Sequence, residues 1–418
     1  MDKLRNVLPF YKRKEEKEHF RHNGSLLLEG LISCFGGRYE LPIRSFTAGE
    51  VIRATNNFSE QVNHIALDSW KFFRGNLQDR PILVKFGEVG SGAFPARPEF
   101  IIRGIVVNSQ MSHLKNVLHL IGCCLEFELP ALVYAYAPGM ESLPHSLSYP
   151  RNGQLISWKS RIKIASDIAN VLLYLHTAFP SPIIFRNLKL ASVILDSSGV
   201  AKLFGFEFSI SLPPGEKKIE DEICGTSGYL DPEYFKSGFV TEKSDVYSLG
   251  VFILLLITGE TRVFKDGEPT IPYFKRRLEN DQLKHILDPK SFEEEGYNEH
   301  EIEQHLLPFT NLALRCTEEK GEDRPDMIEV AKQLRQIEKS CFLYPYSDIS
   351  RCQDLCLFCK SLNALQIDSC FPSTRYQLIL TMTHGSVFLQ LATFLQCKAN
   401  GLINVLLDNT LDNSLANG

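Results

Sequence analysis

The sequence predicts an α+β fold of two lobes, a small strand-rich lobe followed by a larger helical one. Short apolar runs with strand character cluster between His64 and Tyr134, and beyond Gly139 the apolar residues fall at helical spacing. Val246 to Thr258 is apolar all round, as a helix buried on every side must be. A chain of 418 residues, 44% of them hydrophobic, can fill more than one core. Its formal net charge of -5 gives no global attraction to nucleic acid or to an anionic membrane.

Residues 1–45 read as an N-terminal extension. Its opening is charged throughout, unlike a secretory signal, and suits an amphipathic helix with Leu4, Leu8 and Tyr11 on one side. Such a helix packs on the next domain or docks on a membrane surface or a partner. The small lobe spans 46–138, with strands expected at 64–67, 81–86, 117–121 and 131–134 and a helix from Glu99 to Gln110. The large lobe spans 139–340. Its first long helix is expected from Trp158 to Leu175, where Ile162, Ala165, Ile168, Ala169, Leu172 and Leu173 repeat at helical spacing.

The tail, 341–418, has no clear periodicity and holds six of the 11 cysteines. The spacing Cys352-x3-Cys356-x2-Cys359-x10-Cys370 contains one CxxC and is too irregular to predict zinc. Tyr376 to Cys397 is uncharged but carries Gln, Thr, His, Ser and Gly, a poor membrane span. The other five cysteines are scattered, which suits reduced thiols in a cytosolic protein.

Two segments, Gly225-Thr-Ser-Gly-Tyr-Leu-Asp-Pro-Glu-Tyr and Lys243-Ser-Asp-Val-Tyr-Ser-Leu-Gly, resemble the end of a protein-kinase activation segment and the helix behind it. Phe46-Thr-Ala-Gly-Glu-Val-Ile-Arg-Ala-Thr-Asn-Asn-Phe and Leu120-Ile-Gly-Cys-Cys-Leu-Glu are similar to plant receptor-like kinases of the wall-associated type. With Asp323-Arg-Pro-Asp-Met, the resemblance covers about residues 46 to 340. It implies structural roles for Glu233, paired with Arg324, and for Asp245, which would bind backbone amides of the catalytic loop.

A working kinase needs a glycine-rich loop over the phosphates, a lysine–glutamate pair, a catalytic-loop Asp and Asn, and a metal-binding Asp. Here the three glycine places hold Ile65, Leu67 and Trp70, and the following valine place holds Phe72. Side chains with a Cβ bar the close approach of backbone N–H groups to phosphate. Lys85 matches the phosphate-contacting lysine. Leu83 stands where a small alanine makes the roof over adenine, so Leu83 and Phe72 are expected to fill the pocket. The partnering glutamate falls at Gly104, beside Arg103, unless a shift of register brings Glu99 nearer.

Phe185-Arg186-Asn187 stands for His-Arg-Asp, and Ser192 replaces the second metal ligand. An amide takes up no proton near neutral pH, so Asn187 forfeits general-base help worth roughly 10²- to 10⁴-fold. At the Asp-Phe-Gly motif the chain reads Gly205-Phe206-Glu207, and glycine offers magnesium no oxygen. On an extended segment Glu207 would point away from the metal position. Phe185 and Phe206 suit an apolar column joining the lobes, with Arg186 beside them. Ser209, Ser211, Lys217 and Lys218 lie in the segment from Phe204 to Tyr234, expected to be an exposed binding or modification surface.

The combined losses, with Asn23-Gly-Ser-Leu and Pro42-Ile-Arg-Ser-Phe, resemble the plant receptor-like cytoplasmic pseudokinases of the HopZ-ETI-deficient-related group. That resemblance implies an adaptor without turnover. Its partners would be an intracellular nucleotide-binding, leucine-rich (NLR) immune receptor and related cytoplasmic kinases modified by pathogen effectors. It implies no cofactor, ATP bound weakly at most, no metal and no nucleic acid. The expected location is the cytoplasm, with peripheral association at the inner face of the plasma membrane through partners. The alternative is a weakly active or nucleotide-binding serine/threonine kinase.

Overall fold

Strand pairing is what brings the lysine of the small lobe to the cleft. The computed structural model describes residues 9–35, 42–65, 70–87, 97–150, 155–265, 268–279 and 299–343, all within one compact unit that runs from Met1 to Leu343. Leu67 and residues 344–418, with the cysteines from Cys352 onward and the Tyr376–Cys397 run, lie outside the described residues.

The chain opens with α1 (Pro9–Phe35), β1 (Arg44–Ser45) and α2 (Ala48–Ala54), followed by β2 (Lys71–Leu77) and β3 (Arg80–Phe86). After α3 (Pro98–Met111) come β4 (Leu120–Cys124) and β5 (Ala131–Ala135). The five strands form one sheet in the order β1-β4-β5-β3-β2, antiparallel except where β1 joins β4. Register sets Phe72 opposite Lys85 and Leu83 opposite Tyr134. Alternation along each strand puts these four on the face toward the large lobe. The other face holds Ile82, Val84 and Val133 and is covered by Phe46 and Val51. α2 starts in a capping box, in which Glu50 N donates to Thr47 Oγ1 and Thr47 N donates to Glu50 Oε2.

α1 is long because one of its stripes is buried. Leu27, Leu31 and Phe35, four residues apart, enter the main core. Gly30 admits the close crossing with α3, since a Cβ there would lie 3.0 Å from Val106 Cγ2. Asn23, fully buried, donates its carboxamide to the carbonyls of Leu125 and Phe127. Phe35 meets Phe179 of the large lobe at 5.5 Å between ring centroids. α1 is thus a packed strut touching both lobes; Leu4, Leu8 and the Tyr11 side chain lie outside what is described.

The large lobe continues with β6 (Glu141–Ser142), α4 (Leu143–Ser148), α5 (Trp158–Thr177), β7 (Ile183–Ile184), β8 (Val193–Leu195) and β9 (Ala201–Leu203). Then come α6 (Pro232–Ser237), α7 (Glu242–Thr258), α8 (Thr270–Glu279), α9 (Glu299–Cys316) and α10 (Met327–Leu343). α7 is buried from Ser244 to Ile257, capped by Thr241 at its start and by left-handed Gly259 at its end. Helices and β3 and β5 fall close to expectation. β2 was not foreseen, because Lys71-Phe-Phe-Arg-Gly-Asn-Leu lacks clean alternation. The run at 117–121 pairs three residues later, as Leu120–Cys124. His64 and Ile65 are not in a strand.

Among the described residues no helix is long and apolar enough to cross a membrane. The cysteines described there are free thiols. Burial pushes Cys123, Cys124 and Cys316 up to about 12. At pH 8 these three are expected to resist iodoacetamide in the native protein and to react once urea unfolds it, as read by peptide mass spectrometry.

Candidate functional site

β3 delivers the Lys85 ammonium into the cleft, where it is wholly buried. A buried ammonium demands an anion close by. Lys85 Nζ donates to Glu207 Oε1 at 2.5 Å, and the two side chains are 0% and 6% exposed. Trp70, at the third glycine place, covers the amine from another side, with its ring centroid 4.5 Å from Nζ. That ring lies against Gly87, where a Cβ would fall 2.4 Å from a ring carbon. The group that would hold a phosphate is therefore held by the chain's own carboxylate and indole.

The placement of Glu207 corrects the expectation of an extended segment. Gly205 adopts φ 90°, ψ 48°, a left-handed conformation open to glycine at little cost. Phe206–Phe208 then winds a single 3₁₀ turn, and the turn swings Glu207 inward. α3 makes the room. A Cβ on Gly104 would lie 3.1 Å from Glu207 N and Cγ and 3.2 Å from its Cα. Glu99, the other candidate for the pair, is exposed. The lysine–glutamate pair is thus present, with its acid supplied by the metal loop instead of the helix. The signal was in the sequence as two linked oddities, a glycine at 104 and a glutamate at 207.

Around the pair the cleft is packed with apolar side chains. Phe72, Leu83 and Phe204 are at most 1% exposed, and Phe72 meets Phe204 edge-on at 5.8 Å. Ile65 is buried in the same core. Desolvation pushes the Tyr134 phenol well above its usual range, and the nearby Glu207 charge pushes it the same way, so it stays neutral. Phe185 and Phe206 meet edge-on at 5.2 Å, the contact expected of a column joining the lobes.

The catalytic loop is held in shape without its chemistry. Asp245 accepts from the backbone N–H of Phe185 and of Arg186, each at 2.8 Å, and lies 2.9 Å from His176 Nε2. Asn187 Oδ1 accepts from Thr226 Oγ1 at 2.7 Å, while Lys189 Nζ donates to the same hydroxyl at 2.9 Å. Ser192 turns its hydroxyl back on Lys189, donating to the carbonyl at 2.7 Å and accepting from the N–H at 3.1 Å. The two places that would offer oxygens to magnesium hold a hydroxyl engaged with backbone and a hydrogen atom, and the general-base place holds a carboxamide. Among the described residues no group of three or more His, Cys, Asp or Glu is set to hold a metal. This donor set does not fit a magnesium nucleotide.

Arg324 needs a second correction. Its partner is Asp231, at 2.7 Å from Nη2, and both are buried. Asp231 caps α6 and faces inward, whereas Glu233 in the first turn faces outward and accepts from Gly321 N at 2.5 Å. The clamp exists, two residues earlier than expected.

Two outcomes test the pair. Lys85→Met leaves Glu207 buried without its ammonium and is expected to cost about 3–5 kcal/mol in urea unfolding. Adding Glu207→Leu should recover most of that loss. Gly104→Ala is expected to destabilise by the same measure, although alanine in a helix normally gains about 1 kcal/mol, because the Glu207 backbone cannot withdraw.

The protein kinase domain family profile matches residues 92–335. The serine/threonine-protein kinase ZRK1 of Arabidopsis thaliana is 39% identical over 345 residues, covering 78% of this chain and 95% of that protein. The non-functional pseudokinase ZED1 of the same plant is 38% identical over 339 residues, covering 78% and 98%. Wall-associated receptor kinase 5, also of Arabidopsis thaliana, is 31% identical over 344 residues, covering 81% of this chain and 45% of that protein. The chain belongs to the protein kinase domain family, alongside plant ZRK and ZED1 relatives of which several are named non-functional pseudokinases.

Proposed function

We propose that this chain acts by binding and not by turnover, as an inactive kinase-like adaptor. In this reading it couples an NLR-type immune receptor to related cytoplasmic kinases altered by pathogen effectors. It works in the cytoplasm and reaches the plasma membrane only through partners. The observation that carries the reading is the state of the base and metal places, where Asn187 bonds Thr226, the Ser192 hydroxyl is engaged with backbone and Gly205 offers no oxygen. The names of ZED1 and ZRK2 as non-functional pseudokinases support it.

A binding role also asks for an outward surface. α1 supplies one: Phe20, Leu28 and Ile32 are 46%, 52% and 51% exposed, on the helix whose opposite side packs on α3. Large apolar side chains held half in water on a rigid helix suit a protein partner. The competing reading, a weakly active kinase, draws on the naming of ZRK1 and ZRK4 as kinases and on the retained Lys85, Asp245 and Arg324.

Magnesium and ATP are expected to leave the melting temperature of the purified protein unchanged, and no phosphate should pass to a generic substrate. A metal-dependent shift abolished by Lys85→Ala would favour the kinase reading. Leu28→Asp with Ile32→Asp should weaken capture of the receptor at least roughly tenfold in a pull-down while leaving the urea midpoint in place.

A further inference from the structure

Three arginines converge on the activation segment. Arg186 belongs to the catalytic loop, Arg97 precedes α3 and Arg103 sits within it. Facing them are two consecutive acids, Asp221 and Glu222. Arg186 Nη1 donates to Asp221 Oδ2 at 2.6 Å, and its Nη2 donates to the Glu222 carbonyl at 2.6 Å and to the Tyr234 hydroxyl at 2.5 Å. Arg103 Nη1 lies 3.9 Å from the same Asp221 oxygen. Arg97 Nη2 reaches both carboxylate oxygens of Glu222, at 2.7 and 3.1 Å. Beside these contacts, Asp221 N donates to the Gly238 carbonyl, and Ile219-Glu220 pairs with Phe239-Val240.

The side chain of Arg186 is wholly buried, and its backbone holds φ 69°, a strained value for a residue with a Cβ. A buried guanidinium needs a matching oxyanion. In kinases that are switched on by modification, a phosphate on this segment supplies it and thereby orders the loop. Here a carboxylate already stands in that place. The same acids also reach α3, which Gly104 has deprived of a glutamate to tie it to Lys85. Phe100 of α3 adds an edge-on contact with Phe208 at 5.3 Å.

We infer that Asp221 and Glu222 are a built-in replacement for an activating phosphate, latching the segment to the catalytic loop and to α3 without any modification. The Asp221–Arg186 pair dominates, because Arg97 and Glu222 are each about half exposed and their attraction is screened by salt. The latch goes beyond the adaptor reading and does not depend on which partner binds.

Hydrogen exchange of the full chain, followed by mass spectrometry, tests it. Wild-type protein before and after phosphatase treatment should show the same protection over residues 206–226 and α3. Asp221→Ala should speed exchange over 206–226 roughly tenfold or more, leaving α7 protected, and Glu222→Ala should do so by less. Protection lost on phosphatase treatment would mean that a phosphate does the holding, and unchanged exchange in Asp221→Ala would remove the latch. If Asp221→Ala also loosens α7, Asp221→Asn decides: it keeps the shape and removes the charge, so fast exchange confined to 206–226 supports the latch, and any other result overturns it.

Discussion

A single buried ion pair organises the cleft of this protein. Lys85 sits where water cannot reach it, and a charge in that position is stable only against an opposite one held at short range. Four local features follow from that demand. Gly205 takes a left-handed turn, Phe206–Phe208 coils once, Gly104 gives up its side chain, and Trp70 lies over the amine. Beside the pair and Trp70, the side chains of Phe72, Leu83 and Phe204 pack the cleft. The departures from the kinase pattern are thus more than a list of missing acids, because side chains of the chain itself pack the cleft.

The groups that carry the fold are separate from those that would carry chemistry. Asp245 orders the catalytic loop through backbone amides, and Arg324 with Asp231 binds the activation segment to the large lobe. Neither needs a metal or a substrate. Asn187 still takes part in the bonding of the loop through Thr226, as an acceptor where an aspartate would also have accepted. An amide there lacks the basicity of an acid and keeps its acceptor, which is why the loop keeps its bonding.

Much of this was legible in the sequence. α5 and α7 announce themselves by apolar spacing, and β3 and β5 by compact apolar runs, because in each the burial of side chains dictates the pattern. β2 did not, since Arg74, Gly75 and Asn76 interrupt its alternation. Losses at Asn187, Ser192 and Gly205 could be read directly, for each is a missing functional group. Where Glu207 points could not. Its direction depends on the dihedral angles of Gly205 and on the vacancy at Gly104, more than 100 residues away in the chain. The same holds for Asp231 and Glu233: two residues of rotation at the start of α6 decide which acid faces inward.

The fit between Gly104 and Glu207 has an evolutionary side. Restoring an acid on α3 would drive a side chain into the turn that Glu207 occupies, while removing Glu207 alone would strand Lys85 in the interior. Each half of the exchange shields the other from reversion, so a lineage that carries both residues finds a single change at either position uphill. Among descendants, drift at the remaining catalytic positions is then free to accumulate, whereas 85, 104 and 207 should change together or not at all.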